Sequence, residues 1–371
     1  ETVDLWLNDE IRAGSVFQSI ARLGKTMAAE AEKMVTACQE LVGYLDDIEG
    51  AAVIQREIAS IAMELKEIIA AVDVICVQCP PQYVYAASLT RKNDRPQNKL
   101  EALLLNVGST LEETFYANTH AVVYASATLT VDGGFTSFAS AMGLNTSDCS
   151  RADELMLPSS YDFDNRMIVY VVNDMPEPNE ASYLGALQNL LVAAHKAQRG
   201  SMLTLFTNRR EMERCFEEVQ PALKEDDLRL VCQKWGVSVK GLRDDFLADE
   251  HLSLFALKSF WEGFDAPGAT LKGVVIPKLP FSKPTDPLSC ERAARDDAAW
   301  RRYVLPAAVL ETKQAAGRLI RKATDSGILI LADKRLVTKG YGKTFLRSLP
   351  SQNIRFCSAA EIVAEIERSA R

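Results

Sequence analysis

The sequence predicts an α/β fold in which a doubly wound parallel sheet follows a long helical region. Short β-branched runs recur from Ala121 onward (AVVYAS, MIVYVV, MLTLFT, LRLVCQ, LSLFAL, GVVIP and GILILA), separated by helical or loop stretches. Continuous apolar runs of this kind mark parallel strands covered on both faces. Residues 1–70 show no such runs, and their apolar residues recur at helical spacing. The length of 371 residues, with 47% hydrophobic and 25% charged, suits two to three ordinary globular domains.

Taken in order, the first helical stripe runs Val16, Ile20, Leu23, Met27, Ala31, Met34, Cys38, Leu41 and Leu45. An acidic turn spans Asp46 to Gly50. A second stripe follows as Ile54, Ile58, Ile61, Leu65, Ile68 and Val72, in alternating steps of four and three. That spacing predicts the a/d seam of an antiparallel helical hairpin. Residues 1–70 hold 13 acidic and 6 basic side chains, a net of −7 against −8 for the whole chain. A solvated acidic face accounts for this, and a surface for a protein partner is the sharper alternative.

The stretch Pro80–Asn98, with PPQ and RKNDRPQN, reads as turn-rich and marks a change of regime. Beyond it the strands alternate with helices such as Leu184–Ala197 and Arg210–Val219. In sheets of this class ligands gather at the carboxyl ends of the strands, so the residues just after each run are where chemistry is sought.

An acidic total excludes a whole-molecule field that attracts nucleic acid or an anionic membrane, so any polyanion needs a local patch. No apolar run approaches the roughly 18 residues that cross a bilayer, and no signal peptide opens the chain. A cytoplasmic protein with no membrane partner is expected. The first residue is Glu1, within ordinary helical sequence, which reads as a piece of something longer. Eight scattered cysteines suit reduced thiols. Cys76 and Cys79 alone have ligand-like spacing, and a lone CxxC is a weak metal motif, so no metal site is assigned to this chain.

Two decoys fail on context. Gly24-Lys25-Thr26 resembles the tail of a phosphate loop, but Ser19 stands where the first glycine belongs, no strand precedes it, and the helical stripe runs straight through. Asp249-Glu250-His251 resembles an acidic metal box, yet it precedes the run LSLFAL, whereas a magnesium-holding pair follows a strand.

Four clusters then sit beside four different runs. Ser126-Ala127-Thr128-Leu129 follows AVVYA. Thr207-Asn208-Arg209-Arg210 follows MLTLF, at a helix start whose N–H groups suit phosphate. Lys258-Ser259-Phe260-Trp261-Glu262-Gly263-Phe264-Asp265-Ala266-Pro267-Gly268 follows LSLFAL. Gln314-Ala315-Ala316-Gly317-Arg318-Leu319-Ile320-Arg321 precedes GILILADKR. Gln314, Arg318 and Arg321 lie four and then three residues apart, which predicts one shared helical face. Two arginines on one face can grip a triphosphate and stabilise charge developing in phosphoryl transfer. The bland alternative is a pair of surface arginines.

The order and wording of these clusters, SATL, then SFWEGFDAPG followed by VVIPKLPFSKPTDP, then QAAGRLIR and LADKR, closely resemble the DinG-like branch of the XPD-type superfamily 2 helicases. By that resemblance SATL is motif III, SFWEGFDAPG motif V and QAAGRLIR motif VI, over about residues 100 to 350. The resemblance implies a helical arch-like region over 1–115, the terminal strand or strands of a first motor lobe over 116–150, and a second RecA-like lobe over 151–371. It further implies an ATP-dependent DNA helicase that couples hydrolysis to movement on single-stranded DNA and to duplex unwinding, in repair or replication. Gln314, Arg318 and Arg321 would face ATP, with the two arginines as finger candidates. Glu262, Gly263 and Asp265 would sense the nucleotide, and Ser126 and Thr128 would couple the lobes. Thr207, Asn208, Lys258 and Ser259 would contact DNA phosphates. Trp261 could stack on a base, although a core role suits its apolar setting better.

The family's Walker A loop, DExH box and frequent iron–sulfur cysteines precede the arch and are not in this sequence. Magnesium would then be held mainly by the first lobe, an iron–sulfur cluster could belong only to the N-terminal part, and the fragment by itself is expected to be inactive. A non-motor nucleotide-binding or scaffold protein derived from a helicase lobe is the alternative. From Thr312 to Arg347 nine basic residues face two acidic ones, +7 in 36 residues, the local footprint that a phosphate binder needs.

Overall fold

The computed structural model describes residues 2–92, 95–144, 152–234, 236–260 and 268–369. They form two compact units, the first comprising Glu1–Asn118, Ala141–Gly143 and Ser282–Arg301 and the second Thr119–Ser140, Leu144–Phe281 and Arg302–Arg371.

The first unit opens with strand β1 (Thr2–Trp6) and the short helix α1 (Asp9–Ala13), followed by the long helices α2 (Ser15–Leu45) and α3 (Ala52–Val72). These two make the expected hairpin, but its seam takes only part of the expected stripe, Ala31, Cys38 and Leu45 on α2 and Ile58, Leu65 and Val72 on α3. The buried and half-buried positions of α2 are Phe17, Ala21, Gly24, Ala28, Ala31, Val35, Cys38, Val42 and Leu45, and on α3 they are Gln55, Ile58, Ala62, Leu65, Ile69 and Val72. Both sets step by four and three. Small residues in the middle of α2 let the helices approach closely: a Cβ on Gly24 would lie 3.1 Å from Cys76 Sγ and 3.4 Å from Val72 Cγ1. Packing density, not side-chain size, selects this seam. The chain runs on from α3 through a π-helical turn, Asp73–Gln78, which places Cys76 in a small core with Phe17, Ile75 and Tyr85.

Strands β2 (Tyr83–Lys92) and β3 (Arg95–Leu104) follow, then helix α4 (Val107–Thr114). The order β1-β2-β3 is antiparallel, with Trp6 opposite Ala86 and Tyr83 opposite Leu104. This sheet adds an antiparallel element to the helical arch-like region expected over 1–115, and it corrects the turn-rich reading of Pro80–Asn98. Much of β3 (RPQNKLEALL) is exposed, so its backbone ladder with β2 holds it in place where an apolar face is lacking.

In the second unit, short helices α5 (Thr136–Ala141) and α6 (Phe163–Arg166) precede a winding of strands and helices: β4 (Met167–Val172), α7 (Tyr183–Gln198), β5 (Met202–Leu205), α8 (Arg209–Lys224), β6 (Leu230–Cys232), α9 (Val239–Ala248), β7 (Ser253–Ala256) and β8 (Gly273–Ile276). Helix α10 (Pro287–Arg295) then belongs to the first unit, although the sequence places it within the second lobe. There Trp6 Nε1 donates to Glu291 at 2.7 Å, Arg292 to the Leu105 carbonyl at 3.0 Å and Arg295 to the Pro81 carbonyl at 2.7 Å. Helix α11 (Leu305–Ala316), β9 (Gly327–Leu331), α12 (Arg335–Thr338), α13 (Gly342–Ser348), β10 (Ile354–Cys357) and α14 (Ala359–Ser369) complete the second unit.

Its seven strands are all parallel, in the order β10-β4-β9-β8-β5-β7-β6. Alternation along each strand feeds two cores. Val171, Leu203, Leu254, Val274 and Leu329 face α9, α11 and α13, whereas Tyr170, Met202, Phe255, Val275 and Ile330 face α7, α8 and α14. Six of the seven expected runs from Ala121 onward form these strands. AVVYAS does not: residues 121–127 have no regular structure, and Val123 is 90% exposed. A strand needs a neighbour to accept its backbone bonds, and among the described residues no strand pairs with this one. β10 is a strand that the sequence reading omits, because Arg355 and Phe356 are exposed at a sheet edge.

His195 on α7 is wholly buried between Ser253 Oγ at 2.9 Å and Thr204 Oγ1 at 3.3 Å. Burial lowers its pKa from 6.5 to about 3. Between those values the unfolded chain binds the extra proton, so stability falls as the pH drops below 6.5. Urea denaturation is expected to show a loss of about 2 kcal/mol from this group between pH 7 and pH 5, and His195→Gln is expected to remove that part of the pH dependence.

Candidate functional site

Because every strand of the second unit points the same way, the segments after β5, β7, β8 and β9 emerge along one edge. Thr207 and Asn208 follow β5 and are exposed. Asn208 caps α8, its side-chain oxygen accepting from Glu211 N at 3.2 Å, which leaves the NH2 as the donor for an outside acceptor and aims the helix N-terminus at the same place. Lys258 and Ser259 lie in a short 3-10 turn after β7, both exposed. Buried Gln233, just past β6, clamps this turn by donating to Ser259 Oγ at 2.7 Å and accepting from Leu257 N at 2.8 Å. Lys258 Nζ is 2.5 Å from Glu311 on α11. As the lysine side chain is 73% exposed, this pair contributes little stability, and a phosphate can compete for the ammonium.

The second cluster surrounds the end of α11. Gln314 Nε2 donates to Thr128 Oγ1 at 3.3 Å, and Thr128 N donates to Ser126 Oγ at 3.2 Å. One residue earlier, Lys313 donates to Thr130 Oγ1 at 3.0 Å and to its carbonyl at 3.3 Å, and burial lowers its pKa. The structure thus brings Ser126, Thr128 and Gln314 together within the second unit.

It does not place Gln314, Arg318 and Arg321 on one helical face. The helix stops at Ala316, where Arg318 N and Leu319 N bond the carbonyls three residues back, and Leu319 and Ile320 turn into the core. Arg318 is buried at 3% exposure, while Arg321 lies exposed in the following loop. The apolar demand of Leu319-Ile320 outweighs continuation of the helix. The loop is held from both sides: Arg321 N and Lys322 N donate to the buried carboxylate of Asp325 at 2.9 and 2.8 Å, and Tyr161 Oη donates to the Arg321 carbonyl at 2.8 Å. The sequence reading gives no site role to Thr130 and Tyr161, and counts Lys313 and Asp325 only as charges of the stretch from Thr312 to Arg347. Only Asp325 has a local signature, an acid three to four residues after the N–H groups that it accepts.

A third anchor, Asp333, is almost fully buried after β9. It accepts from Leu279 N at 2.8 Å, tying the exits of β8 and β9 together, and from Arg335 Nε at 2.9 Å and Nη2 at 2.6 Å. The decoys settle as read: Gly24-Lys25-Thr26 lies inside α2, and Asp249 pairs with Arg229 at 2.8 Å ahead of β7. Glu262, Gly263 and Asp265, like Trp261, lie outside the described residues. Among the described residues no group of three His, Cys, Asp or Glu side chains is arranged to hold a metal ion, and no helix is long and apolar enough to cross a membrane.

Residues 191–352 match the helicase C-terminal domain family. This stretch is a helicase C-terminal domain, and the chain is similar to DNA helicases of the DinG and YoaA kind. It is 34% identical over 253 residues to the ATP-dependent DNA helicase YoaA of Escherichia coli, a match spanning 66% of this chain and 38% of that protein. It is 31% identical to the 3'-5' exonuclease DinG of Bacillus subtilis, over 71% of this chain and 29% of that protein. The ATP-dependent helicase DinG of Mycobacterium tuberculosis is 32% identical, over 72% of this chain and 40% of its own length. The chain therefore spans well under half of these relatives. A solved XPD helicase superposes with a TM-score of 0.55 at 12% identity, covering 96% of this chain and 65% of that one. A second, apo XPD, gives 0.53 at 15% identity, covering 86% and 62%. At such identities these two speak for the fold alone.

Asp325 supports two backbone N–H groups of the helicase domain's arginine loop from a buried position. Asp325→Ala is expected to cost about 1–3 kcal/mol in urea denaturation, and Asp325→Asn, which keeps an acceptor, markedly less.

Proposed function

We propose that this chain supplies the second motor lobe of an ATP-dependent DNA helicase together with its arch-like region. The observation that carries the reading is the arrangement around α11, where Gln314 bonds Thr128 and the following loop presents Arg321 on a backbone held by Asp325 and Tyr161. It is supported by the relatives named as ATP-dependent DNA helicases.

In this reading ATP is the substrate and binds between this domain and a first lobe that carries the Walker A loop and the DExH box. Arg321, exposed and cationic, reaches the phosphates and stabilises charge as the terminal phosphoryl group departs. Arg318, being buried, is the weaker finger candidate. Gln314 reports the state of the nucleotide side to Thr128 and Ser126 through its amide. Glu262, Gly263 and Asp265 keep the sensing role that the motif resemblance implies. In this reading magnesium is held mainly by the first lobe, and an iron–sulfur cluster could belong only to the N-terminal part.

Single-stranded DNA follows the strand-end edge, where Thr207, Asn208, Lys258 and Ser259 offer hydroxyl, amide and ammonium donors. Such donors address phosphates and carry no base information. The basic stretch from Thr312 to Arg347 supplies the local positive field that the acidic total does not.

In the complete protein, Arg321→Ala is expected to lower DNA-stimulated ATP turnover by roughly 10³-fold or more while leaving nucleotide affinity within about threefold, because the contact strengthens in the transition state. Steady-state phosphate release beside equilibrium binding of a fluorescent nucleotide measures both. Equal losses in rate and affinity would assign the arginine to ground-state binding, and unchanged turnover would remove it from the site.

A further inference from the structure

The large apolar residues that the seam of the α2–α3 hairpin leaves out form a second pattern. Met27, Met34 and Leu41 on α2 repeat every seven residues, and so do Ile54, Ile61 and Ile68 on α3. In the heptads fixed by the buried seam all six occupy the g position, which in two-helix coils usually carries charge. The hairpin register brings them together. Gln55 donates to the Val42 carbonyl near the turn, and Val72 packs at Gly24 near the open end, so Leu41 falls opposite Ile54, Met34 opposite Ile61 and Met27 opposite Ile68. All six side chains lie on one side of the hairpin, each 45–54% exposed.

Seven-residue repetition on both helices is the pattern of a helix-packing face, not of apolar residues scattered singly over a surface. Its long dimension, 14 residues from Met27 to Leu41, is about 21 Å at 1.5 Å per residue, four turns of a docked helix. The edges differ. Along α3 the next exposed rows hold Glu57, Glu64 and Glu67, whereas along α2 they hold Leu23 and Tyr44, with Glu30 paired to Lys33 at 2.7 Å and Glu40 the one further acid.

We propose that this face docks one amphipathic helix of a partner protein, with apolar residues at heptad spacing and lysine or arginine along the edge that meets α3. The charge distribution chooses among occupants. A second copy would bring the same excess of acid, since Ser15–Val72 holds nine acidic and five basic residues, and an anionic membrane surface would be repelled by the glutamate row.

The test uses the 371-residue chain and two fluorescein-labelled 21-residue helical peptides that share a leucine heptad stripe, one with lysines on its flanking row and one with glutamates there. Fluorescence anisotropy at low salt is expected to show saturable 1:1 binding of the lysine peptide and at least about tenfold weaker binding of the glutamate peptide. Met34→Glu and Ile61→Glu are each expected to weaken the lysine peptide by about tenfold. Glu57→Gln with Glu64→Gln should erase most of the preference between peptides. Ala29→Glu, on the exposed far side of α2, should change nothing, and far-UV circular dichroism should show every variant as helical as the parent. No binding of the lysine peptide, equal binding of both peptides, or indifference to Met34→Glu and Ile61→Glu would overturn the proposal. So would concentration-dependent dimerisation in sedimentation that Met34→Glu abolishes, which would make a second copy the occupant.

Discussion

The parallel register of β5, β7, β8 and β9 is the constraint on which the rest of the second unit depends. With Leu203 paired to Leu254, Thr204 to Val275 and Val275 to Ile330, every strand exit is delivered to the same edge, and polar segments distant in sequence meet there. The sheet itself does nothing chemical. It fixes where the N-terminus of α8, the Lys258 turn and the Asp333 anchor stand, and two buried apolar layers hold those positions against backbone entropy.

Three buried polar side chains convert that scaffold into defined loops. Gln233 clamps the exit of β7, Asp333 joins the exits of β8 and β9, and Asp325 shapes the loop that bears Arg321. Each satisfies backbone N–H groups that would otherwise be orphaned where the chain leaves regular structure. The arrangement also gives the exposed Arg321 a firm backbone, its N–H bonded to Asp325 and its carbonyl to Tyr161.

The winding of strands and helices was legible because parallel strands buried on both faces must be continuously apolar, as MIVYVV, LSLFAL and GILILA are. The small antiparallel sheet was not, since β3 is mostly exposed and is specified by pairing instead of by its own side chains. The hairpin was legible and its seam only in part: Ala31, Cys38, Leu45, Ile58, Leu65 and Val72 were in the predicted stripe, but Ala21, Gly24 and Ala28 carry the contact through close approach, while the largest apolar residues point to the neighbouring exposed face. The same bias toward periodicity extended the helix of QAAGRLIR through Arg321, when burial of Leu319 and Ile320 ends it at Ala316. Ser126 and Thr128 were found by their wording and their bond to Gln314 by the fold, but Thr130 and Tyr161 touch partners some 160 or more residues away, which no local pattern reveals.

The account stands most directly on the proposed phosphate track along the strand-end edge, and titration of labelled single-stranded oligonucleotides of different sequence against the 371-residue chain at several salt concentrations measures it. The account predicts weak binding without base preference, a log–log slope of roughly −2 to −3 for three or four neutralised phosphates, and a slope shallower by about one contact in Lys258→Ala but unchanged in Lys25→Ala. A flat response to salt, or affinity that follows base sequence, would contradict it.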